Sequence, residues 1–163
     1  GKKWYFQHIG IKPDIVIFGK KAQVSGIMVN KKFSEIFNHE LKLNVTWNSD
    51  LLDMLRSYKI IEYVNKNKIL KNIRTQSEDL LVFLNSFSEL YSVRLCGYII
   101  AFDLKTTKKR DLFFKILFSN EILVNPTGSK TIRMRPNLDT KLSEVSFFKK
   151  RFTKAINEFQ SKR

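Results

Sequence analysis

Apolar residues along this chain fall into two kinds of pattern. Over residues 51–91 the spacing is helical: Leu80, Phe83, Leu84, Phe87 and Leu90 form one stripe. Leu51, Leu52, Met54 and Leu55 open that region behind Asn48, Ser49 and Asp50, a cluster of residue types that cap helix N-termini. Val145, Phe148, Phe152, Ile156 and Phe159 make a second stripe and predict a closing helix, with Thr140 as its cap. Thr107 is expected to cap another helix, through Leu112, Phe113, Ile116 and Leu117. The remaining apolar runs are short. Ile15-Val16-Ile17-Phe18 is β-branched and does not alternate, which predicts a strand covered on both faces. Ile27-Met28-Val29 and Ile122-Leu123-Val124 read as strands, and residues 92–104 as a strand or strand pair. Pro126, Thr127, Gly128 and Ser129 read as a turn. In residues 131–136, strand alternation sets Arg133 and Arg135 on one face. Residues 4–8 read as the end of a helix or loop, and residues 30–44 as a loop with one helical turn.

Composition narrows the class. With 163 residues, 43% of them hydrophobic and 13% aromatic, the chain is long and apolar enough for a cored domain and is not of disordered composition. No apolar run reaches membrane-spanning length and the start carries no signal-peptide pattern, so a cytoplasmic setting without a membrane partner is expected. A single cysteine, Cys96, excludes an internal disulfide and a cysteine-built metal site. His8 and His39 do not share a metal-binding spacing, and no metal is expected. The formal net charge of +15 raises nucleic acid as a partner. Its basic residues are scattered and no nucleic-acid-binding motif is present, so no nucleic-acid partner is expected. A basic nucleic-acid-binding module stays as an alternative, recognisable by binding that weakens steeply with salt.

Three residues are candidates for chemistry. Lys20 follows the strand Ile15-Val16-Ile17-Phe18 across Gly19, where the carboxyl ends of strands open into a ligand crevice in α/β folds. An amine that reacts must be neutral near pH 7, and burial beside a cationic group lowers a lysine pKa. By position alone Lys20 reads equally as one of 30 solvated Lys and Arg residues. Thr46, just ahead of a helix start, can join nearby amides on a phosphate, or can be a plain loop residue before a cap. Arg133 carries a planar guanidinium suited to bidentate grip of a carboxylate; otherwise it is an exposed strand position.

The run Asp14-Ile15-Val16-Ile17-Phe18-Gly19-Lys20 resembles the lysine segment of the class III, fold type I, pyridoxal-phosphate (PLP) aminotransferases. Its continuation Lys21-Ala22-Gln23-Val24-Ser25-Gly26 is similar to one branch, the L-lysine 6-aminotransferases. Thr46-Trp47 and Thr131-Ile132-Arg133-Met134-Arg135-Pro136 resemble two further family motifs, in the same order and with matched gaps. The resemblance implies that Lys20 holds PLP as a Schiff base and moves protons, that Thr46 reaches the cofactor phosphate of the partner subunit in a homodimer, and that Arg133 grips the substrate α-carboxylate. It implies transfer of the side-chain amine of L-lysine to 2-oxoglutarate, giving glutamate and 2-aminoadipate semialdehyde. Ornithine and 4-aminobutyrate enzymes share these three elements, so the amino donor stays open.

The implied fold is α/β and is the carboxyl-terminal part of a fold type I PLP transferase. Residues 1–50 would end the large-domain sheet, residues 51–91 would be long connecting helices, and residues 92–163 a small α/β domain. The carboxylate that pairs with the pyridine nitrogen falls upstream of Gly1, so a fragment of a protein well over twice this length is expected, inactive alone. This sequence departs from the family at Asn48, Ser49 and Asp50, where two glycines and an asparagine are usual, and at Leu95 and Cys96, where glycine and arginine are usual. A second proline is also usual where Asn137 stands. A truncated or degenerate inactive relative is therefore the other reading.

Overall fold

The two short strands before the first helix pair with each other. The structure, a computed structural model, describes residues 1–39 and 50–162. Its chain divides into two units, residues 2–70 and residues 71–163, with Gly1 grouped with the second. In the first unit, β1 (Ile15–Phe18) and β2 (Gly26–Val29) form an antiparallel ribbon with Ile15 opposite Val29 and Phe18 opposite Gly26. The expectation that β1 is covered on both faces is not met. Val16 and Phe18 are half-buried, but Ile15 is exposed and Ile17 is 81% exposed. Among the described residues this ribbon is packed on one face, so alternate residues of its wholly apolar run stay open. On the packed side Phe18 meets Trp4 edge-on, ring centres 6.0 Å apart. A Cβ on Gly26 would lie 2.7 Å from the Phe18 ring, so the ring occupies the space a side chain would fill.

A 3₁₀ turn over Lys31–Asn38 follows, where one helical turn was expected, and Asn30 caps it by accepting from the Lys32 amide. The helical region is two helices, α1 (Leu51–Lys66) and α2 (Ile69–Asn85). They are separated at Asn67 and Lys68, the latter at φ 52°. Asn67 bonds back to the Tyr63 carbonyl at 2.9 Å, closing α1 with a residue type that suits helix ends. Of the predicted capping cluster, Asp50 is the cap, its carboxylate accepting the Asp53 amide at 3.0 Å.

The second unit is built on a four-stranded antiparallel sheet in the order β3-β4-β6-β5. Its strands are β3 (Tyr91–Cys96), β4 (Ile99–Asp103), β5 (Asn125–Thr127) and β6 (Thr131–Met134). The expected strand pair is the β3–β4 hairpin, which turns at Gly97, φ 56°. The helices α3 (Thr107–Ser119) and α4 (Leu142–Ser161) complete it. Ile100 and Phe102 of β4, and Ile132 and Met134 of β6, are buried on one sheet face. Phe102 meets Phe113 of α3 and Phe152 of α4, which places helices against that face.

Three local expectations shift. Ile122-Leu123-Val124 is not a ladder strand. The Ile122 amide bonds to the Leu117 carbonyl at the end of α3, and pairing begins at Asn125. Pro126 and Thr127 are therefore in β5, not in a turn. Proline is tolerated because β5 is the sheet edge, where a missing N–H leaves no ladder bond unmade. Thr106 rather than Thr107 caps α3, accepting the Lys109 amide at 3.2 Å. At α4 the cap position is Lys141, whose amide is taken by Glu144 at 2.7 Å, while Thr140 donates to the Asn137 carbonyl.

The predicted apolar stripes face this core. Leu80, Leu84, Val145, Ile156 and Phe159 are buried, and Phe152 is 0% exposed. The Phe152 ring lies 5.3–5.9 Å from those of Phe83, Phe87, Phe102, Phe113 and Phe148. Phe152→Ala is expected to cost about 3–5 kcal/mol. Urea unfolding monitored by circular dichroism checks this, and a loss under about 1 kcal/mol would show that the cluster is not the core.

Candidate functional site

Lys20 stands on a constrained turn. Gly19 is extended (φ 172°), Lys20 is in the left-handed region (φ 57°) and opens a 3₁₀ turn over Lys20–Ala22, and Gln23 is left-handed again (φ 66°). Amides of Ala22 and Gln23 bond to the carbonyls of Gly19 and Lys20 at 3.2 and 3.1 Å. A Cβ on Gly19 would lie 2.6 Å from the Ser25 hydroxyl, so the chain passes there without room for a side chain. Two non-glycine residues held at positive φ carry strain that ordinary turns avoid, and such strain collects at functional sites. Lys20 is exposed and forms no ion pair among the described residues. Lys21 shares the turn with Lys20.

Thr46 lies outside the described residues, as do Asn48 and Ser49. Arg133 is in β6, opposite Ala101 of β4 and Asn125 of β5, and is exposed while its neighbours Ile132 and Met134 are buried. It makes no ion pair among the described residues. Arg135 was expected beside it. Pairing ends at Met134, however, and Arg135 lines a cavity of about 260 Å³ with Ile100, Met134, Pro136 and Val145. Lys20 and Arg133 belong to different units. Among the described residues no group of three or more His, Cys, Asp or Glu is placed to hold a metal. No described helix is long and apolar enough to cross a membrane.

Near Arg133 the structure adds a network that sequence reasoning missed. Asp103 accepts from the Thr131 hydroxyl at 2.6 Å and from Arg94 Nη1 at 3.1 Å. Arg94 also donates to the Ser92 carbonyl at 2.8 Å. The strand register shifts between Tyr91 and Arg94, and Ser92 is left-handed at φ 49°. This bulge re-aims the strand so that Arg94 meets the far end of β4. Burial pushes the Asp103 carboxyl up, but the bonds from Thr131 and Arg94 and the charges of Arg94 and Lys130 outweigh it and hold it below its ordinary range. One signal was available: Asp103 is the lone acidic residue in the four strands.

The family model described as Aminotransferase class-III matches residues 1–156. An L-lysine-epsilon aminotransferase of Mycobacterium tuberculosis is 30% identical over 154 residues, covering 89% of this chain and 34% of that protein. A 4-aminobutyrate aminotransferase of Kluyveromyces lactis is 28% identical over 174 residues, covering 97% of this chain and 35% of that protein. Among solved structures, the lysine aminotransferase of M. tuberculosis superposes with a TM-score of 0.78 at 29% identity, over 96% of this chain and 38% of that one. The acetylornithine aminotransferase of Elizabethkingia anophelis, at 20% identity, shares the fold with a TM-score of 0.84 over 96% of this chain and 42% of that one. This chain spans about a third of the length of the curated relatives it matches.

The lowered Asp103 carboxyl sets a pH dependence. Its stabilisation is fully present above the ordinary aspartate pKa and is lost as pH falls through the lowered folded value. Asp103→Asn should therefore be less stable than the parent by about 1–2 kcal/mol at neutral pH. That gap should narrow as the pH falls through the lowered folded value. Urea midpoints measured from neutral pH down into the acid range decide the matter; a gap that does not change with pH would show that the carboxylate charge contributes nothing.

Proposed function

We propose, from the premise that this chain belongs to the class-III aminotransferase family, that it carries the cofactor lysine and the carboxylate-binding arginine of a transaminase for the side-chain amine of L-lysine. Enzymes of this family depend on PLP. Bound PLP supplies an electron sink next to the carbon that bears the transferred amine. The single observation that carries the reading is Lys20, held by a strained turn at the end of β1 within a segment that the family model spans.

Among the described residues, Lys20 has the chemistry to hold that group. Lys20 is exposed and bound to no carboxylate among the described residues, so its amine is open to an incoming aldehyde. Lys20 Nζ is the amine that would hold PLP and carry a proton between donor and cofactor carbons. Thr46 would reach the phosphate across a homodimer. Arg133, exposed and unpaired among the described residues, would bind the carboxylate of the amino-acid donor and then of 2-oxoglutarate. Glutamate and 2-aminoadipate semialdehyde would be the products. The relatives named for L-lysine favour lysine as donor. We assign residues 1–50 to the end of the PLP-binding domain, residues 51–91 to the connection, and residues 92–163 to the small domain.

Reductive trapping tests the first assignment. Incubation with PLP and then borohydride should leave the pyridoxyl group on the peptide that carries Lys20, and Lys20→Arg should abolish it. Labels spread evenly over the other lysines would overturn the role of Lys20. In an active protein carrying this chain, Arg133→Lys should raise the KM for 2-oxoglutarate about 10- to 100-fold with a smaller change in kcat. An unchanged KM would remove Arg133 from the site, and faster turnover of 4-aminobutyrate than of lysine would change the donor.

A further inference from the structure

The four strands of the second unit hold one acidic residue, Asp103, and it shares a sheet face with Arg133. Strand register shows this. Arg133 stands opposite Ala101, and Asp103 stands opposite Thr131, so Asp103 and Arg133 are diagonal neighbours. Diagonal positions on one face of an antiparallel pair lie about 7–8 Å apart, within reach of an arginine side chain. Opposite charges at that spacing are able to pair. Here they do not: Asp103 is bonded to Arg94 and Thr131, while Arg133 has no ion pair among the described residues.

The partner chosen is the one the backbone has been bent to supply. Arg94 reaches Asp103 from beyond the bulge at left-handed Ser92, and Ser92's own carbonyl takes a second Arg94 hydrogen. Thr131 donates to the same Asp103 oxygen that Arg94 contacts. Asp103 is 14% exposed as a side chain and Arg94 51%, so the acid is the fixed member of the pair. We infer that Arg94 and Thr131 hold Asp103 as a positioning device, which keeps this acid off Arg133 and leaves that guanidinium available to an incoming carboxylate. The inference rests on the assignment of Arg133 as the carboxylate-binding residue. A plain structural tie between β3, β4 and β6 would use the same bonds but would predict no dependence on Arg133.

A titration cycle on this chain separates the two. The Asp103 carboxyl is followed by carbon-detected NMR in the parent, Arg133→Gln, Arg94→Gln and the double variant. Lys130, the other cation beside Asp103, is kept throughout. Arg133→Gln alone should leave the Asp103 titration unmoved. Arg94→Gln should raise it, and adding Arg133→Gln on that background should raise it further, by about half a pH unit or more, because Arg133 has taken over the released acid. Arg94→Lys, which keeps a cation on β3, should hold the parent value and guards against an unfolded Arg94→Gln. If Arg133→Gln shifts Asp103 in the parent, the acid already engages Arg133 and the inference fails. It also fails if Arg133→Gln adds nothing on the Arg94→Gln background. Neither result bears on the carboxylate-binding role itself, which stands or falls with the KM of Arg133→Lys.

Discussion

The packing of one phenylalanine ties the second unit together. Phe152 sits in α4, and its ring touches rings from α2, β4 and α3 as well as Phe148 from its own helix. Edge-on and tilted aromatic contacts of this kind add specific geometry to the area they bury. Because Phe102 of β4 is one of the partners, the cluster sets how the sheet lies on its helices. Ile132 and Met134 of β6 follow into the same core. Strand alternation does the rest: with those two residues inward, Arg133 has to face outward. A candidate substrate-binding cation is thus placed by a hydrophobic contact on the opposite side of the sheet.

How much of this was legible in the sequence depended on whether a signal was local. The helices were readable because their apolar stripes recur every three or four residues, and Phe152 was named within one. Lys20 and Arg133 were singled out as candidates by short motifs in a fixed order. Features set by pairing between strands were not. The open half of β1 follows from packing on one face of the ribbon among the described residues, which a run of four apolar residues cannot announce. The Ile122 to Val124 segment has strand composition, but its first amide is claimed by the end of α3. Arg94 and Asp103 meet only because a bulge shifts the register, and no periodicity encodes that shift. Thr46 falls outside the described residues, so its placement is decided by neither route.

Charge on this chain is abundant, and location rather than amount gives it meaning. A formal charge of +15 draws attention to anionic polymers. Within the sheet the balance is different: the one carboxylate bonds Arg94, and Arg133 has no ion pair among the described residues. The scattering of basic residues already visible along the sequence is therefore compatible with a small, specific anion such as a substrate carboxylate.

The two outer strands of the four-stranded sheet differ from its inner pair in a way that matters beyond any site. β5 is three residues long and has Pro126 at its centre, while β3 carries the bulge at Ser92 and the long charged side chain of Arg94. A sheet border exposes unpaired amides and carbonyls that recruit a neighbouring molecule's strand. Proline offers no amide, and a bulged, twisted border offers no straight run to copy. Both borders of this sheet are thereby blunted as templates for a further strand.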